Sequence, residues 1–146
     1  MNDPYSKKIV NSSFFHSKID IKGRFVVVLD GRLDNRGLKL IQPISRAFTK
    51  HTIIELIGTD EQTAAPGSKV DNICYLGFVE LLNGGVILSG DKVLWNDKVI
   101  GSIVGYDDTH MPNHQNTIVL MNDRISGKNL GIKNNDELII TGIEKQ

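Results

Sequence analysis

The sequence is poor in several features that would place a protein in a familiar class. It contains a single cysteine among 146 residues, so no disulfide can form within one copy of the chain. Basic and acidic side chains both number 17, and the resulting zero net charge argues against a nucleic-acid-binding protein, which would carry a basic excess. The same zero charge leaves self-association into a homo-oligomer open, because repulsion between copies is weak.

Long apolar segments are absent as well. The longest uninterrupted apolar run covers residues 25–29, far short of the roughly 20 residues that a membrane-spanning helix needs. The N-terminal residues lack the apolar stretch of a secretory signal. We therefore expect a cytoplasmic protein that does not interact with membranes.

The motifs of the commonest catalytic machineries are missing too. The chain has no Walker phosphate loop, no dinucleotide-binding glycine pattern, no nucleophile elbow and no cysteine pair for zinc. Its one thiol, Cys74, lies within an apolar run and is expected to be a buried, inert packing residue. Whether the protein catalyses a reaction stays open at this point.

The sequence does contain a series of short β-type segments separated by turn residues. The β-branched run Val26–Val28 predicts a strand buried on both faces, and residues 52–57 predict another strand. Asn83-Gly84-Gly85 and Asn96-Asp97 are typical of hairpin turns, because these residues tolerate a positive φ. No segment keeps an apolar helical stripe over three turns.

This pattern predicts a mainly β protein, a barrel or a sandwich with irregular loops and little helix. We find no internal repeat, linker or low-complexity tract, so residues 1–146 are expected to form a single domain. Residues 1–15 are polar at their start and are expected to form an N-terminal arm.

One polar segment stands out between two predicted strands, Lys98–Tyr106 and Asn116–Met121. Residues 107–114 read Asp-Asp-Thr-His-Met-Pro-Asn-His and hold two of the four histidines together with two carboxylates. Pro112 restricts its own φ and disfavours helix at Met111, so we predict a loop rather than a zinc-protease helix. Loops on rigid β scaffolds frequently carry function.

The residues of this loop support three interpretations. A curled loop can bring His110, His114 and Asp107 to one divalent metal, and this ligand set suits zinc or iron. Without a metal, His110 and His114 can act as catalytic acid/base groups, with Asp108 orienting an imidazole and Asn113 contacting the ligand. Alternatively, the aspartate and asparagine side chains cap the loop and the segment is structural.

A second polar cluster covers residues 30–37, which contain two aspartates and two arginines. The planar guanidinium of Arg36 can hold a carboxylate or a phosphate through two parallel hydrogen bonds. We predict that folding brings Asp34 or Arg36 near residues 107–114, where they bind ligand. Ion pairs and turn caps within the cluster are the alternative interpretation.

The C-terminal half is similar to a known pattern. Residues 90–105 begin with Gly-Asp and end in Val-Gly, Asn113-His114 follow, and the apolar strand Thr117–Leu120 comes next. This arrangement resembles the C-terminal half of the glucitol/sorbitol-specific IIA component of the bacterial phosphotransferase system. The resemblance implies a small closed β-barrel, although Asn113 stands where that family has glycine.

The whole chain also resembles a small family of uncharacterised bacterial proteins with Asn-Arg-Gly, here at 35–37, and His-x-Pro-Asn-His, here at 110–114. That resemblance implies no known activity. We therefore expect a small β-barrel with a polar site at 107–114 that binds a metal or a small polar ligand and can be catalytic. The alternative is a non-catalytic module, phosphocarrier-like or part of an assembly, that acts with a partner protein.

Overall fold

The computed structural model describes residues 19–142, and their secondary structure is almost entirely β. The single helix of this range, α1, covers Gly127–Leu130. The arm predicted for residues 1–15 lies outside the described residues. The strands are, in chain order, β1 Ile21–Val28, β2 Arg32–Leu33, β3 Leu38–Lys39, β4 Ser45–Phe48, β5 Ile53–Thr59, β6 Lys69–Val70, β7 Ile73–Leu81, β8 Gly85–Leu88, β9 Lys92–Trp95, β10 Lys98–Asp107, β11 Gln115–Leu120 and β12 Glu137–Thr141.

Seven of these strands form a closed barrel. Their order is β1–β12–β9–β10–β11–β5–β7, and the pairing of β7 with β1 completes the ring. β5 and β11 are parallel, whereas the other neighbours in the ring are antiparallel. β2 continues the sheet beside β7, and β3–β6 and β4–β8 form two small sheets. The prediction of a mainly β fold with a closed barrel and little helix is confirmed.

Two hydrophobic cores lie on opposite faces of the barrel wall. The inner core takes buried side chains from all seven barrel strands, among them Phe25 of β1 and Leu56 of β5. The outer core contains Ile57 of β5 and Ile118 of β11, packed against residues of β3 and β6. Successive side chains of a strand point to opposite faces, so β5 and β11 contribute to both cores and are buried on both faces.

Val26–Val28 belong to strand β1, as predicted, but the prediction that they are buried on both faces is wrong. Val27 is 43% exposed, and its two neighbours are only partly buried. The pairing of β1 with β12 ends at Arg24, so the last residues of β1 keep a neighbouring strand only on the β7 side. Their position in the sheet, rather than their β propensity, sets their exposure.

The two predicted hairpin turns have different outcomes. Asn96 and Asp97 join β9 to β10 with φ of 46° and 69°, as a primed two-residue hairpin requires, so this prediction is confirmed. The hairpin predicted at Asn83–Gly85 is wrong, because β8 starts at Gly85 and pairs with β4 rather than with β7. The turn there redirects the chain to a different sheet.

Gly77 of β7 lies opposite Val28 at the end of β1. Opposite β5, the register of β7 shifts by one residue between Leu56 and Ile57, which bends the strand as a bulge does. A Cβ atom added to Gly77 would overlap the carbonyl oxygen of Val27 on β1. Glycine therefore permits the backbone approach that closes the ring.

We predict that Gly77→Ala lowers the free energy of unfolding by about 3 kcal/mol, because the added methyl group forces the β1 and β7 backbones apart. Gly31→Ala is the matched control. Gly31 has a φ of +100° and open space around its Cβ position, so its substitution isolates the conformational cost of about 1 kcal/mol. Urea denaturation measures both, and an equal or smaller loss at Gly77 would contradict the steric argument.

Candidate functional site

A row of four side chains crosses the outer face of the barrel below residues 107–114. Register places Asp107 of β10 beside Asn116 of β11, Asn116 beside Glu55 of β5, and Glu55 beside Phe78 of β7. Glu55 lies on the outer face, because its chain neighbours on both sides belong to the inner core. The first three members of the row are buried although all are polar.

The loop above this row is a series of tight turns. The N–H of Met111 donates to the carbonyl of Asp108 at 3.0 Å, and the N–H of Asn113 donates to the carbonyl of His110 at 2.9 Å. The N–H of His114 reaches the same carbonyl at 3.3 Å. The predicted loop is confirmed, and its curl brings the two histidine side chains together.

Four side chains surround the ring of His114. Its Nε2 lies 3.0 Å from Oε1 of Glu55, with the two side chains only 14% and 9% exposed. Its ring and the ring of Phe78 are nearly perpendicular at a centroid distance of 5.0 Å, and the ring of His110 lies beside it at 5.0 Å with a tilt of 31°. Its Nδ1 is 2.9 Å from Oδ1 of the exposed Asn113. This packing fixes the imidazole in one orientation.

The carboxylate of Asp107 connects the start of the loop to β3 and β11 through hydrogen bonds. Burial opposes ionisation of its carboxyl, but hydrogen bonds from Thr109, Lys39 and Asn116 outweigh that effect and lower its pKa. The backbone N–H groups of Thr109 and Lys39 donate at 2.8 and 3.1 Å, and Nδ2 of Asn116 donates at 3.2 Å. Its two oxygens therefore already have partners within the protein.

Asp108 is in a different position from Asp107. Its side chain is 44% exposed, and its Oδ1 accepts a hydrogen bond of 2.6 Å from Nε2 of Gln115. The nearest cation is Arg46, whose Nη2 lies 3.9 Å away. Asp108 thus presents an oriented carboxylate to solvent.

The second predicted cluster lies elsewhere. Oδ1 of Asp34 accepts a hydrogen bond of 2.7 Å from Nη1 of Arg124. Arg124 also lies 3.8 Å from Asp60, which follows the C-terminal end of β5, whereas Glu55 lies near the N-terminal end of that strand. The backbone of Arg36 bonds to Asp71 at 2.9 Å, and no hydrogen bond or ion pair in residues 19–142 joins its guanidinium to the loop. Folding therefore joins the members of 107–114 but leaves Asp34 in its own ion pair.

The metal hypothesis gains no geometric support. In the part of the chain that the structure describes, no group of three or more His, Cys, Asp or Glu side chains is placed to hold a metal ion. Asp107 is occupied by its three donors, and both ring nitrogens of His114 have neighbouring acceptors. Zinc or iron at this site stays a prediction.

The sequence-based prediction missed Glu55, Phe78 and Asn116. The usable signal was a lone glutamate within the apolar strand β5, but its partners depend on pairing between distant strands. Asn116 is fully buried, and its Oδ1 has no hydrogen-bond partner among the described residues. Burying an amide oxygen without a hydrogen-bond partner lowers the stability of the folded protein, so Asn116 lowers the stability of the barrel.

A closed barrel with a polar loop packed over its outer wall defines the chain as a small β-barrel protein. It belongs to a family of unknown function (DUF6917), whose model matches residues 15–141. Comparison with curated proteins gives no match, and comparison with solved structures gives none either. Membership of a family without a known activity is thus confirmed, whereas the resemblance to the glucitol/sorbitol-specific IIA component gains no support.

Other predictions about the protein's surroundings stay predictions. The four-residue helix α1, the single helix within residues 19–142, is too short to span a bilayer. The cytoplasmic location, the absence of nucleic-acid partners and the homo-oligomer have no observation for or against them.

We predict that Asp107→Asn lowers the free energy of unfolding by about 2 kcal/mol at neutral pH, because the amide cannot accept all three hydrogen bonds. Because the pKa of Asp107 is lowered in the folded protein, this loss of unfolding free energy depends on pH. Stabilisation by ionised Asp107 is complete above the usual carboxyl pKa of 3.8 and is lost as the pH falls through the lower native value. Urea denaturation at a series of pH values should show the difference shrinking in that range. Asp123→Asn is the exposed control, and a pH-independent difference would contradict the prediction.

Cys74 is buried as predicted, and burial raises the pKa of its thiol to about 11. Since the thiolate is the reactive form, the native protein should not react with 5,5′-dithiobis(2-nitrobenzoate) at neutral pH. The same protein unfolded in urea should release one equivalent of thionitrobenzoate. Rapid reaction of the native protein would contradict the assignment of Cys74 as an inert packing residue.

Proposed function

We propose that this protein binds a small polar ligand at residues 108–114 and exchanges a proton with it through His114. The hydrogen bond of 3.0 Å between Nε2 of His114 and Oε1 of Glu55 is the observation that carries the proposal. A carboxylate beside one nitrogen of an imidazole fixes its tautomer and orientation, which is the arrangement used by many histidine bases.

The two nitrogens of His114 then have different roles. With Nε2 donating to Glu55, the neutral imidazole carries its lone pair on Nδ1. That nitrogen faces the exposed Asn113, whose amide can rotate to offer either a donor or an acceptor. A ligand that replaces the Asn113 contact would reach Nδ1 directly, whereas Glu55 stays behind the ring.

Other members of the loop supply ligand contacts. The ring of His110 lies 5.0 Å from that of His114, and Asp108 presents an oriented carboxylate at the start of the loop. Histidine is the side chain that exchanges protons most readily near neutral pH, so a metal is not needed for acid/base chemistry here. A metal ligated by His114 would have to displace either Glu55 or Asn113.

The orienting role of Glu55 can be tested by long-range ¹H–¹⁵N NMR of the imidazole rings. In the native protein, His114 should be mainly the Nε2–H tautomer when neutral. In Glu55→Gln the side-chain amide can also donate to Nε2, so the Nδ1–H tautomer should become substantially populated.

The chain contains a matched control in the more exposed pair of His51 and Glu80, whose Nδ1–Oε2 distance is 2.9 Å. Glu80→Gln should change the tautomer of His51 and leave that of His114 unchanged. If Glu55→Gln has no effect on the His114 tautomer, Glu55 does not orient the ring and the proton-exchange role is wrong.

The binding role can be tested by mapping amide chemical shifts against a library of small polar fragments. Fragments that bind should perturb residues 108–114 and Glu55, and His114→Ala should weaken their binding about tenfold, as the loss of one hydrogen bond of about 1.4 kcal/mol would. Binders that map consistently to another face of the barrel would overturn the assignment of the site.

A further inference from the structure

A cleft of about 600 Å³ adjoins the start of the loop 108–114. It lies between the segment 39–43, which passes the barrel wall, and the end of β10 at residues 107–109, with Gly67 at its side. Its size falls in the range of roughly 300–1,000 Å³ that is typical of small-molecule sites. Apolar surface is supplied by Ile41 and Pro43, whereas Leu40 is buried beneath them in the outer core.

Three charged residues line this cleft, but only two of their charges are available to a ligand. Asp107 is buried, and its oxygens accept three hydrogen bonds from the protein. Asp108 is 44% exposed; its Oδ1 accepts from Gln115 and lies 3.9 Å from Nη2 of Arg46, whereas its Oδ2 has no partner within residues 19–142. Lys39 is exposed, and among the same residues its ammonium group has no ion-pair partner. One carboxylate oxygen of Asp108 and the ammonium group of Lys39 therefore remain for a ligand.

We propose that the cleft binds a zwitterionic amino acid with an apolar side chain. The ammonium group of the ligand pairs with Oδ2 of Asp108 and its carboxylate pairs with Lys39, while its side chain packs on Ile41 and Pro43. A ligand with a single charge would contact only one of these two groups. This inference rests on the proposed function, because Asp108 and Thr109, which line the cleft, belong to the loop that the proposed function assigns to the ligand.

The ligand class can be tested with three probes that differ only in charged groups. L-Phenylalanine carries both groups, phenethylamine lacks the carboxylate and 3-phenylpropionate lacks the ammonium group. Isothermal titration calorimetry should show phenylalanine binding about tenfold tighter than either analogue, since each analogue loses one charge-assisted hydrogen bond. Equal affinities for the three probes, or no binding of phenylalanine, would overturn the proposal.

Substitutions at the rim should separate the two charge contacts. Asp108→Asn should weaken phenylalanine and phenethylamine about tenfold without weakening 3-phenylpropionate. Lys39→Met should weaken phenylalanine and 3-phenylpropionate and spare phenethylamine. Asp123→Asn, an exposed carboxylate outside the cleft, is the matched control and should change none of the three affinities. Unchanged phenylalanine binding in both rim variants would overturn the assigned contacts.

Failure of this proposal is distinguishable from failure of the proposed function. If phenylalanine does not bind while other polar fragments still perturb residues 108–114, the ligand class is wrong and the loop site stands. If no fragment perturbs the loop, both are wrong. Thermal unfolding of each variant checks that the barrel is intact, and both substituted side chains lie on the surface.

Discussion

The parallel pairing of β5 with β11 is the constraint on which the rest of the structure depends. Its register places Ile57 beside Ile118 in the outer core, and the same register places Glu55 beside Asn116 under the polar loop. A shift of one residue would move the polar pair to the inner face and the inner-core side chains outward. Core packing and the geometry of the site are therefore consequences of one alignment of two strands.

Local features of the sequence were sufficient to predict the class of the fold. The turn at Asn96–Asp97 works because both residues tolerate a positive φ, and this property belongs to the residues themselves. The exposure of Val26–Val28 does not belong to those residues, because it depends on where β12 stops pairing with β1. Strand order and the parallel pair could not be derived, since many pairings satisfy the same alternation of apolar and polar residues.

In the candidate site, too, local features could be predicted from the sequence and contacts between distant strands could not. The density of histidine and aspartate in residues 107–114 was visible in the sequence, and the restriction imposed by Pro112 was sufficient to predict a loop. The partner of His114 was not visible, because Glu55 lies on another strand and meets it only through the pairing of β5 with β11. Asp34 or Arg36 was predicted to join the site, but Asp34 pairs with Arg124 at the other end of β5 and the backbone of Arg36 bonds to Asp71.

Closure of the ring has a consequence for how the protein folds. β1 lies near the start of the described residues and β12 at their end, yet Ile21 is opposite Ile140 in the finished barrel. Such a pairing is expected to form slowly, because closing a long loop costs entropy before any pairing is gained. In a chain where β12 has not yet paired, the facing edges of β1 and β9 are open, and open strand edges can pair with other chains.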